Sequence, residues 1–152
     1  MDLAVKGMET AKDFYVKDLE AMTEEQVLGS AGGAARKAVD FSYELGFINL
    51  QVAARLRGEE PAKSPDGDEW MVAPPELQSK SAITEYVATA CEALIDAAKA
   101  IPADEIDKLI GSPGRERPTY GQVNFAWMHT MYHDAQLNFI QSLSGDTSMH
   151  WF

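Results

Sequence analysis

Thr119–Leu143, TYGQVNFAWMHTMYHDAQLNFIQSL, reads as one long helix, and its reading decides the fold. Pro118 stands before it, and Thr119 is placed to act as N-cap with Gln122 three residues on, a capping-box pattern. Ser144-Gly145 marks its end. Two of the chain's three histidines, His129 and His133, lie in it four residues apart. At about 3.6 residues per turn that spacing puts both imidazoles on one face, one turn above the other. Neutral imidazole is the commonest protein ligand for transition metals, and two on one stripe can share an ion. The plain alternative is a pair of packed or surface histidines. Their stripe also carries Gln122, Ala126, Gln136 and Ile140, so it continues into apolar packing.

Outward from this stretch the chain reads as further helices. Glu9 to Met22 is amphipathic, with Ala11, Phe14, Tyr15, Leu19 and Met22 at helical spacing. Thr23 with Gln26 makes a second capping-box pattern opening a short turn of helix, and Ser30-Ala31-Gly32-Gly33 breaks it. Ala34 to Arg57 is the second long helix, with Ala38, Phe41, Leu45, Ile48, Val52 and Leu56 as its apolar stripe, ended by Gly58. Residues 59–75 hold four prolines, an Asp66-Gly67-Asp68 turn signal and Trp70-Met71-Val72. They predict an ordered crossover that tucks the apolar triplet away from water. Ser79 to Ile101 is the third long helix, with Ile83, Val87, Ala90 and Leu94 inward; Ala103 to Ile110 reads as a short helix and 111–118 as a loop. No alternating strand pattern is visible. The economical architecture is all-α: an antiparallel four-helix bundle, one domain over 1–152, with a long crossover between helices 2 and 3.

Composition narrows the function. A formal net charge of −11 without a basic stripe repels phosphates, so nucleic-acid binding is not expected. No run is apolar enough to span a membrane, and the acidic first twenty residues lack a signal-peptide core. The single cysteine, Cys91, excludes an internal disulfide and suits a reducing cytoplasm. It reads as a small buried apolar group, without a neighbouring His or Arg to activate it. Met128 and Met131 read as core fillers, and Trp127 and Tyr132 as packing residues, Tyr132 being placed to donate to a bound ligand. His150, in the tail MHWF, reads as a terminal histidine near a packed Trp151 more readily than as a ligand.

Two imidazoles do not make a stable site, and a third ligand must come from another helix. Asp40 and Glu44 stand at i and i+4 on the second helix. Either they form a solvated acidic face, Asp40 pairing with Arg36 or Lys37, or Asp40 is an oxygen ligand completing a two-His, one-carboxylate set with open positions.

The run HTMYHDAQLNFIQSLSGD, with His129, Tyr132, His133, Gln136, Leu137 and Gly145-Asp146, resembles the fourth-helix signature of the DinB/YfiT-like four-helix-bundle metalloenzymes. Arg57-Gly58-Glu59 is similar to the turn that ends that family's second helix. The resemblance implies a metal triad of one histidine from helix two and two from helix four. His129 and His133 match the latter; helix two has no histidine, and by register its place falls at or next to Asp40. The expectation is a divalent metal (Zn, Ni, Fe or Mn) on His129, His133 and Asp40, with Glu44 as general base. The implied activity is metal-assisted hydrolysis or transfer of a low-molecular-weight thiol, with no named substrate; separately, the apolar bundle faces and the tail point to a homodimer. The alternative is a member that kept the fold, lost its chemistry and acts as a binding or dimerisation module.

Overall fold

In the computed structural model, which describes residues 1–64 and 70–152, the chain is mostly helical with one two-stranded sheet. The helices are α1 (Asp2–Ala21), α2 (Glu24–Leu28), α3 (Ala38–Leu56), α4 (Lys80–Lys99) and α5 (Thr119–Leu143). The strands are β1 (Leu109–Ile110) and β2 (Arg117–Pro118), paired antiparallel just before α5. Among the described residues no helix is long and apolar enough to cross a membrane. The Asp66-Gly67-Asp68 turn expected from the sequence lies outside the described residues.

The four long helices pack in a ring of contacts, α1 on α4 and α5, and α3 on α4 and α5. Their inward stripes supply the core: Met8, Tyr15 and Leu19 from α1, Phe41 and Leu45 from α3, Ile83 and Leu94 from α4, and Leu137 from α5. The one polar atom of Tyr15 is satisfied by Ser42 Oγ at 2.8 Å, so its ring is buried without an orphaned hydroxyl. Two glycines let helices approach a ring closely. A Cβ on Gly7 of α1 would meet ring carbons of Trp127 on α5 at 2.7 Å, and one on Gly46 of α3 would overlap the Tyr86 ring of α4.

Helix starts follow local chemistry in two places and depart from it in one. Thr23 and Gln26 close the expected capping box, and Ser79 accepts from Ala82 N–H at 3.2 Å to cap α4. At α5 the expected Thr119 box does not form. Pro118 takes the N-cap place, while the Thr119 hydroxyl donates to Lys108 O at 3.0 Å and Gln122 Nε2 to Ile110 O at 2.9 Å. Both side chains bind the 108–110 segment instead, and this supports the small strand pair. The short helix expected over 103–110 shrinks to a 3₁₀ turn at Ala103–Glu105 because that segment pairs with 117–118.

Between α3 and α4 the chain takes the expected long connection, but its apolar triplet is not tucked in. Trp70 is 71% exposed and Val72 67% exposed. Trp70 instead lies against the Arg36 guanidinium, 4.7 Å from ring centroid to Cζ. Met128, expected as a core filler, faces solvent at 67% exposure.

Candidate metal centre

Three ligand atoms from two helices converge between α3 and α5. Glu44, His129 and His133 each offer one atom within 4.8 Å of the other two. His129 Nε2 and His133 Nε2 are 3.0 Å apart, and Glu44 Oε1 lies 3.7 Å from the first and 3.9 Å from the second. Two Zn–N bonds of about 2.0–2.1 Å at a tetrahedral angle hold their nitrogens about 3.3 Å apart. The observed separations bracket that value, so sub-ångström shifts suffice to admit an ion.

The carboxylate that meets the imidazoles is therefore Glu44, not Asp40. Asp40 Oδ1 accepts the Ala73 backbone N–H at 2.9 Å, so this side chain fastens the crossover to the first turn of α3. Glu44, one turn deeper in α3, lies level with the histidines. It takes the place expected of Asp40 and leaves the general-base role without a residue. His150 lies with Asp146, its Nε2 2.9 Å from Oδ2, and does not join the cluster.

Each member of the set is braced to a different degree. His133 is buried, its ring stacked on Phe41 at 5.3 Å, and its Nδ1 is 2.7 Å from Gln136 Oε1. An amide oxygen only accepts, so Nδ1 carries the proton and Nε2 turns its lone pair to the cluster. Gln136 Nε2 donates in turn to Tyr132 Oη at 3.3 Å, which fixes the amide's orientation. Burial, above all, lowers the His133 pKa to about 4, so the ring is neutral near pH 7 as a ligand must be. Glu44 is held below the usual carboxylate range by the His129 imidazole 3.7 Å away, against burial, and by Arg36, whose Nη1 is 2.7 Å from Oε2. Arg36 thus occupies one carboxylate oxygen and leaves the other for the cluster. His129 stacks on Phe125 at 5.7 Å, but its Nδ1 is buried and has no partner among the described residues. With His133 Nε2 as acceptor, the His129 proton sits on Nε2; freeing Nε2 for a metal moves it to Nδ1, where no acceptor waits.

The cluster forms the floor of a cavity of about 430 Å³ lined by Arg36, Phe41, Trp70, Tyr132, Phe139 and Ile140 among others. Were an ion held by these three side chains below the open cavity, a coordination position would be left free.

A second buried acidic group was not anticipated from the sequence. Asp18 of α1 and Asp134 of α5 are both buried. Asp18 Oδ2 accepts from Asn138 Nδ2 at 2.7 Å and from the Trp151 indole at 2.8 Å, while Asp18 Oδ1 and both Asp134 oxygens have no other hydrogen-bonding partner among the described residues. Burial first, and the Asp18 charge second, push the Asp134 carboxyl up to about 8, so near neutrality it keeps a proton to offer Asp18. The signal was periodicity: Thr130, Asp134, Leu137 and Gln141 make a largely polar stripe, and all four are buried toward α1. Cys91 behaves as its sequence setting implied, with burial raising its thiol to about 12 and Asn49 Nδ2 3.3 Å from Sγ.

No family model matches the chain, and no curated protein matches it. In structure it is similar to a conserved protein from Enterococcus faecalis, with a TM-score of 0.74 at 13% identity over 95% of this chain and 97% of that one. That likeness extends over the whole helical fold.

Proposed function

We propose that the chain is a divalent-metal-dependent enzyme of the DinB/YfiT-like type, built as an antiparallel four-helix bundle, with the metal on Glu44, His129 and His133. The observation that carries this reading is the convergence of two imidazoles from α5 and one carboxylate oxygen from α3 beneath a cavity. A bound ion would supply Lewis acidity, lowering the pKa of water or a thiol in the open position toward neutrality. The chain's own residues hold its ligands: Gln136 fixes the His133 tautomer, Arg36 orients Glu44, and Phe41 and Phe125 wedge the two rings. Hydrolysis or thiol transfer follows from such chemistry, in a cytoplasmic setting with a small-molecule substrate.

Metal analysis of protein purified without chelator tests the reading. Near-stoichiometric metal is expected in the wild type and in Asp40→Asn, with loss in Glu44→Gln and His133→Ala. An empty wild type, or full occupancy in Glu44→Gln, overturns it. The orphaned Nδ1 of His129 favours a second reading, a member of the fold that binds partners without catalysis. In that case all four proteins are empty.

A further inference from the structure

Beside the cavity over Glu44, His129 and His133 lies a second one of about 590 Å³, and the two share Ala31 and Ile140 as walls. They meet along the C-terminal half of α5. Ile140 and Ser144, which line the second cavity, stand roughly 10–17 Å along the helix from His133 at about 1.5 Å per residue. The two ends of this cleft are unlike. Near the histidines the walls are aromatic, with Phe41, Tyr132 and Phe139. The far chamber is lined by Thr23, Glu25, Gln26, Ser30 and Ser144. Thr23 Oγ1 accepts the Gln26 backbone N–H at 3.2 Å, Gln26 Oε1 that of Thr23 at 2.6 Å, and Ser30 Oγ that of Gly32 at 3.1 Å. Glu25 is the one charged group lining this chamber among the described residues, and its side chain is exposed to it. Lys80, tied to this part of the chain through Glu24, donates instead to the carbonyls of Glu20 and Met22 at 3.0 and 2.8 Å. Residues 65–69, Pro-Asp-Gly-Asp-Glu, contain no lysine, arginine or histidine to neutralise it.

We propose that the cleft takes an elongated substrate with an apolar reacting end over the histidine–glutamate cluster and a protonated amine at its far end, set on Glu25. The inference rests on reading the first cavity as the enzyme's substrate pocket. Size supports the apolar end: a cavity of about 150 Å³ holds a benzene ring, and this one has about 430 Å³. Charge chooses the tail. The far chamber offers a carboxylate and no cation among the described residues, so a carboxylate or phosphate tail would meet repulsion there and an ammonium would not. The net charge of −11 acts in the same sense at long range, drawing cations to the molecule. Because Glu25 stays in contact with water, the ion pair is worth little in affinity and sorts substrates by the charge of their tails.

The test is calorimetric titration of 6-phenylhexylamine, 6-phenylhexanol and 6-phenylhexanoate into the full chain at low salt, both zinc-loaded and chelator-treated. 2-Phenylethylamine, too short to reach from the histidines to Glu25, is the control. The long amine is expected to bind about three- to fivefold more tightly than the alcohol in both forms, the scale of an exposed ion pair, and the acid more weakly than either. Glu25→Gln should bring the long amine to the alcohol's affinity and leave 2-phenylethylamine unchanged, while Glu25→Asp should keep part of the preference, with both variants checked for wild-type melting. Equal binding of amine and alcohol, an acid preferred over the amine, no binding of any probe, an unchanged preference in Glu25→Gln, or an equal loss for the short amine overturns the proposal. A Glu25-dependent preference in a protein that takes up no metal sinks the metalloenzyme reading alone. Uptake of metal without discrimination among the probes sinks this inference alone.

Discussion

His133 and Asp134 are neighbours in sequence whose protons respond to burial in opposite senses, and this sets how the metal-free protein responds to pH. The His133 pKa is depressed from its ordinary 6.5 to about 4. The unfolded chain therefore takes that proton first, and the stability tied to the neutral ring is lost as pH falls from 6.5 toward 4. Asp134 is raised from 3.8 to about 8. The folded state keeps that proton longer, so its contribution is full in acid and lost as pH rises through 8. Between about 4 and 6.5 the two slopes oppose each other; above 6.5 only Asp134 acts. Chelator-treated protein is expected to lose on the order of 1–2 kcal/mol between pH 6.5 and 8 in urea unfolding. Asp134→Asn, which retains an N–H donor toward Asp18, should abolish that alkaline decline; a decline of the same size in the variant refutes the assignment. Gln136 gives a separate test at the same scale. Gln136→Ala frees the His133 tautomer and is expected to weaken zinc affinity by about 10–100-fold in competition titration, the usual cost of losing such a brace. An unchanged affinity would show that the amide is not one.

At the scale of the helices, the long elements were legible from periodicity, while the partner of the histidines was not. The inward residues of α4, Ile83, Val87, Ala90 and Leu94, are all buried as their spacing requires. Periodicity fixes which face of α3 points inward but not how far α5 slides along it, and a shift of one turn exchanges Asp40 for Glu44. Small connections also escaped, because the Leu109–Ile110 pairing comes from Thr119 and Gln122 reaching backward, which no local pattern in 103–110 reveals. Gly46 was hidden for the same reason: its role depends on Tyr86, forty residues on in another helix. Gly46→Ala gains up to about 1 kcal/mol of helix propensity but pushes a Cβ into the Tyr86 ring, and overpacking costs about 1–3 kcal/mol. Net destabilisation is expected as a lower thermal midpoint, and a raised midpoint would mean that the ring swings clear.

Over the whole molecule, α5 has two unlike faces. Inward it carries the histidines and the Asp134 stripe; outward it exposes Met128, Tyr132, Phe139 and Leu143, an apolar row at helical spacing. The homodimer expected from the apolar bundle faces and the tail would cover such a row. Sedimentation equilibrium across micromolar concentrations should then report a dimer in the wild type and a monomer in Phe139→Glu. A wild-type monomer at every concentration refutes it.

The two glycine notches set the mechanical character of this scaffold. Trp127 seated at Gly7 keys α5 to α1, and Tyr86 seated at Gly46 keys α4 to α3. The seam between α3 and α5, which Glu44, His129 and His133 straddle, has sparser contacts than either keyed pairing. Compliance is therefore concentrated where the ligand atoms meet. The gap between Glu44 and the imidazoles is then the dimension most easily stretched, and a metal proposed there would be chosen by donor chemistry rather than by a fixed radius.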